Sequence, residues 1–95
     1  MALKFSTGLP NAREGRLHPV GSVTPEWLIR ISKLAEDLGY YSLWPNEFYA
    51  TFPDLQKRYV DPPNLYDTII TMAYVMAETK RVRVTPSTIV LPLHD

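Results

Sequence analysis

Between Thr24 and Gly39 apolar and polar positions alternate at helical spacing. Trp27, Leu28, Ile31, Leu34, Ala35 and Leu38 form one stripe, with Glu26, Arg30, Lys33 and Asp37 opposite it. Thr24 suits an N-cap, Pro25 the first helical position, Glu26 the positive end of the dipole and Gly39 the stop. The spacing predicts a helix over 25–38, with Glu26 and Arg30 set for an i,i+4 pair. Upstream, residues 2–9 put Leu3, Phe5, Thr7 and Leu9 on one face and Lys4 and Ser6 on the other, which is strand periodicity. Pro10 and Asn11 end that strand. Downstream, the aromatic and apolar residues from Tyr41 to Pro45 predict a second strand. Asp61-Pro62-Pro63-Asn64 then punctuates, and a second helix is expected over 65–79. It is apolar on most sides (Ile69, Ile70, Met72, Val75 and Met76 among them) and so asks for burial on more than one face. A third strand follows over 82–85; Pro86 interrupts it, and the apolar run resumes at Ile89-Val90-Leu91.

Strand, helix, strand, helix, strand is the order of parallel strands joined by helical crossovers, an α/β fold of βαβαβ type. The connections after strands are long: Pro10 to Val23, and Asn46 to Asn64. Those after helices take only a few residues. In βα repeats the two loop classes emerge at opposite ends of the sheet, and ligands bind at the carboxyl ends of the strands. Any site is therefore expected near Leu9-Pro10, Asn46-Glu47 and the segment after Thr85.

Composition narrows the picture. The 95 residues suffice for a single domain spanning 1–95 with a modest core. Basic and acidic residues balance at ten each, which gives no electrostatic basis for binding nucleic acid or an anionic membrane. Without cysteine there are no disulfides, zinc thiolates or thiol catalysis. No signal-peptide pattern and no apolar run near the ~20 residues of a membrane helix occur, so a cytoplasmic chain is expected.

Glu47, at the end of the second strand, could act as general base or ligand acceptor, or be a solvated loop glutamate. Arg13, Arg16 and His18 either meet a phosphate or belong to a polar loop. Phe48, Tyr49, Phe52 and Tyr59 either wall a flat ligand or pin their loop to the scaffold. His18 and His94 lack metal-ligand spacing, so no metal is expected. No G-x-G-x-x-G, P-loop or G-x-S-x-G occurs.

Several segments, in order, resemble the N-terminal part of the luciferase-like monooxygenase family, which includes bacterial luciferase and the deazaflavin (coenzyme F-420) dependent oxidoreductases. They are Phe5-Ser6-Thr7-Gly8-Leu9-Pro10-Asn11, Leu34-Ala35-Glu36-Asp37-Leu38-Gly39-Tyr40 with Ser42-Leu43-Trp44, Tyr66-Asp67, Arg81-Val82-Arg83-Val84 and Val90-Leu91-Pro92-Leu93. The resemblance implies a TIM barrel, (β/α)8, with FMN or coenzyme F-420 across its carboxyl-end mouth. It implies a bulge in the third strand, often with a cis peptide, backing the ring; the matching positions are Ser87, Thr88 and Ile89. Asn46 and Glu47 would contact ligand or cofactor, with Glu47 catalytic. Many deazaflavin-dependent members carry an Asp-His pair where this chain reads Glu47-Phe48.

A family barrel takes about 250 residues, so the chain is expected to be the first three strands of such a barrel. Alone it should be inactive, with a small-molecule substrate bound only in the complete protein. The non-enzymatic alternative is a truncated half-barrel that self-associates through its second helix or its sheet edges.

Overall fold

Helix α1 (Pro25–Asp37) starts and stops where its local chemistry dictates. The Thr24 hydroxyl accepts the Trp27 N–H at 3.1 Å. At the other end Gly39 has φ +83°, Tyr40 N–H donates to the Ala35 carbonyl and Gly39 N–H to that of Glu36, which is a Schellman ending. The computed structural model describes residues 2–94. Around α1 lie β1 (Ser6–Gly8), β2 (Ser42–Trp44), α2 (Pro53–Arg58), α3 (Thr68–Glu78), β3 (Arg83–Val84) and a 3-10 turn at Leu91–Leu93. No described helix is long and apolar enough to cross a membrane.

The strands form one parallel sheet in the order β1-β2-β3, with Thr7 opposite Leu43 and Leu43 opposite Val84. Right-handed crossovers stepping in one direction place their helices on one face of the sheet. Leu43 and Val84 on that face pack with Leu28, Ile29, Ala35 and Val75 of α1 and α3. Each fully buried aliphatic side chain contributes about 1.5–3 kcal/mol there. The other face carries Ser6, Gly8, Ser42, Trp44 and Arg83, and none of the described helices covers it. Trp44 is 47% exposed. Its indole N–H donates to Ser42 Oγ at 2.7 Å, and Ser42 Oγ lies 2.6 Å from Ser6 Oγ. In a closed barrel this polar face would be the interior.

Several expectations shift. The first strand is shorter than 2–9: Leu3 and Phe5 are 85% and 66% exposed, because they lie below the part of the sheet the helices cover. On α1 the buried residues are Leu28, Ile29, Ser32 and Ala35, whereas Leu34 and Leu38 are exposed beside the free edge of β1. Buried Ser32 is satisfied by the Leu28 carbonyl at 2.7 Å. Glu26 and Arg30 form no ion pair; Lys33 instead reaches Glu78 on α3 at 3.1 Å. The connection 46–64 contains a helix, α2, that the periodicity did not predict. Pro53 opens it, Lys57 and Arg58 close it, and Leu55 anchors it. The helix expected over 65–79 begins only at Thr68, capped by Asp67, whose carboxylate accepts the Ile70 N–H at 2.8 Å.

The third strand explains its proline. Arg83, Thr85 and Ser87 N–H groups donate to the carbonyls of Tyr41, Leu43 and Pro45. The ladder thus runs past Pro86, whose missing donor belongs to the alternate set facing the free edge. Among the described residues every peptide bond is trans, so the interruption involves no cis bond. The resumed apolar run ends in the 3-10 turn rather than in a strand.

Candidate active site

All three strands deliver long segments to their carboxyl ends, and buried polar groups join those segments. The loop after β1 folds around Glu14, which is 2% exposed. Its carboxylate accepts N–H groups from Val23 at 2.7 Å, Gly21 at 3.0 Å and Asn64 at 2.7 Å. Burial pushes this carboxyl up, but the donors outweigh it and hold it below its ordinary value. Gly15 in the same loop has φ +79°, and a Cβ there would approach Pro63 Cγ to 3.1 Å and Leu55 Cδ1 to 3.2 Å. Asn11, fully buried, is the hub. Its Nδ2 donates to the carbonyls of Asn46 at 2.8 Å and Tyr66 at 3.0 Å, and its Oδ1 accepts the Asn46 N–H at 3.0 Å. Thr68 Oγ1 donates to the same Asn46 carbonyl.

Asn46 and Ser87 are brought together: Asn46 Oδ1 accepts from Ser87 Oγ at 2.5 Å and from Arg13 at 3.1 Å. The Asn46 Nδ2 amide has no partner among the described residues and is not sealed in, so it is a free donor at the mouth. Glu47 is 6% exposed rather than solvated. It accepts the Val90 N–H, the Tyr49 hydroxyl at 2.9 Å and lies 2.6 Å from His94 Nε2. Burial pushes this carboxyl up, and the Val90 N–H, Tyr49 and His94 more than offset it, leaving it below 4.5. With both oxygens already engaged by these partners, the carboxylate is poorly placed to take a proton from a ligand. Thr88 is exposed and Ile89 half-buried, and the Thr88 hydroxyl makes no hydrogen bond to the described residues.

A concavity of about 220 Å³ opens here, lined by Gly8, Leu9, Pro10, Arg13, His18 and Asn46. A larger one lies at the opposite end among Leu3, Phe5, Tyr40 and Arg81. That is the end of the short helix-to-strand links, which in βα folds carries stability rather than chemistry. Phe48 packs edge-on to Phe52 at 5.1 Å, and Arg16 lies 4.2 Å over the Phe52 ring while pairing with Asp54. These aromatics pin their loop. His18 sits edge-on to Trp27 at 5.5 Å. Among the described residues no three His, Asp or Glu side chains are placed to hold a metal.

Sequence reasoning passed over Asn11, Glu14 and the pairing of His94 with Glu47. The only signal for Asn11 and Glu14 was polarity in a loop too long for a bare connection.

A singly wound parallel sheet, helices on one face and every long loop at the carboxyl end define a segment of a βα barrel. The family model for luciferase-like monooxygenases matches residues 3–95, and the chain belongs to that family. It forms the first three strands of such a barrel, and the family is one of oxidoreductases. No match was found among curated proteins or among solved structures.

Proposed function

We propose that this chain supplies one wall of a flavin or deazaflavin site in a luciferase-like oxidoreductase. The supporting observation is the coincidence, at the carboxyl ends of three parallel strands, of the concavity, the free Asn46 amide and the Asn46–Ser87–Arg13 contact. A concavity of about 220 Å³ falls below the ~300 Å³ at which small-molecule sites begin, so these residues fit one edge of a ring system, not the whole of it. Asn46 Nδ2 would donate to a ring carbonyl or to the substrate, and Ser87 and Arg13 hold that amide in place. The Ser87-Thr88-Ile89 backbone would back the ring. The bound FMN or coenzyme F-420 would supply hydride transfer or oxygen activation.

Titrating the purified chain with FMN and with coenzyme F-420, followed by absorbance and fluorescence, is expected to give weak binding or none. Micromolar binding of either would overturn the claim that further walls are needed, and a preference would name the cofactor.

A second reading has its own observation. On α3, Ile70 and Met76 are 71% and 58% exposed beside Ile69 and Tyr74, and no described strand pairs with the outer edge of β1 or β3. A non-catalytic, self-associating half-barrel would bury these surfaces. Sedimentation of the chain at tens of micromolar decides: a clean monomer counts against this reading.

A further inference from the structure

Glu47 holds more polar partners than a loop carboxylate needs, and two of them carry protons of their own. Its Oε1 lies 2.6 Å from His94 Nε2 and 2.9 Å from the Tyr49 hydroxyl, which is itself 2.9 Å from Nε2. Its Oε2 takes the Val90 N–H. The carboxylate side chain is 3% exposed and the imidazole 21%. An imidazole lone pair and a carboxylate oxygen 2.6 Å apart would repel each other. The approach is attractive only with a proton on Nε2. That assigns the tautomer: in the neutral ring Nδ1 carries the lone pair. Nδ1 has no hydrogen-bond partner among the described residues and is not sealed off from solvent. Tyr49, pushed up to about 12 by burial and by Glu47, stays a neutral donor to the carboxylate.

From this geometry we propose that His94, not Glu47, is the proton-accepting group of the carboxyl-end mouth. Glu47 and Tyr49 are positioning residues that hold its ring. The inference rests on reading that mouth as an active site. A buried carboxylate behind an imidazole fixes its orientation and stabilises the cation formed when the outer nitrogen takes a proton. The group is assembled from segments 47 positions apart. The site thus regains a histidine beside its acid although position 48 is Phe48.

The test uses the chain as it is. In ¹⁵N-resolved NMR of the imidazoles, His94 is expected to carry its proton on Nε2, with that proton protected from exchange. Glu47→Gln should abolish the protection. Hydrolysis of p-nitrophenyl acetate, a probe that needs only an accessible basic nitrogen, should lose most of its histidine-dependent rate in His94→Gln and in Glu47→Gln. Should Glu47→Gln fail to fold, the tautomer read in the unsubstituted chain and the ester rate of His94→Gln carry the test. A proton on Nδ1, or an unchanged ester rate in His94→Gln, would reduce the cluster to a structural staple and overturn the proposal. The two readings separate: micromolar binding of FMN or coenzyme F-420 would overturn the claim that further walls are needed without moving these histidine readouts. Loss of the readouts would overturn the pair without touching the cofactor titration.

Discussion

Asn11 and Asn46 exchange a pair of hydrogen bonds across 35 positions of chain, and Asn11 reaches the Tyr66 carbonyl as well. One buried amide therefore joins the segments after β1, after β2 and before α3. Asn11→Asp, nearly the same size, removes both Nδ2 donors and sets a carboxylate oxygen against two carbonyls. It is expected to cost at least about 1–3 kcal/mol, the penalty for buried acceptors left unpaired, measured as a fall in the urea midpoint at neutral pH. An unchanged midpoint would mean that water replaces the amide. Neighbouring Glu47 illustrates the same principle with an acid: its position marks the mouth, but its bonds consume both oxygens.

Among the elements, α1 was the most legible because its start and stop depend on residues within one turn. Its N-cap, its proline and Gly39 are where local chemistry places them. Gly39→Ala is expected to destabilise by about 1–2 kcal/mol, the cost of a left-handed backbone with a Cβ. Nothing lies within 4 Å of an added Cβ there, so the loss is backbone strain alone, and Gly39→Asn should recover part of it in thermal unfolding. The sheet order and the end holding the long loops were also legible, since alternation and loop length carry them. The face α1 buries was not, because Leu34 and Leu38 look as apolar as Leu28, and only the position of β1's edge separates them. Helix α2 escaped because six residues show too little periodicity, though Pro53 and the basic last turn announced it. The mouth residues escaped for a different reason: Asn11 and His94 acquire their roles from partners in distant segments.

For the whole molecule, three carboxylates fasten distant segments by accepting backbone N–H groups. Glu14 holds the first loop to Asn64, and Glu47 holds the segment after β3. Glu36 takes Arg81, Val82 and Lys80 at 2.5, 2.8 and 2.8 Å, and those donors hold its carboxyl down to about 2. All three fall below the ordinary 4.5. Their folded-state values lie under their unfolded ones, so their stabilisation is present above pH 4.5 and lost as pH falls through the folded values, that of Glu36 at about 2. Unfolding midpoints measured across that range should drop steadily, and Glu36→Gln should flatten the lower part of the curve. The polar ties at the mouth also bear on the order of folding. They close loops of 35, 50, 55 and 57 positions, whereas α1 needs only its neighbours. Long closures forfeit chain entropy before they are rewarded. The carboxyl end therefore orders after α1 and opens before it, so a ligand bridging Asn46 and His94 would act on that opening and show itself as slowed amide exchange there.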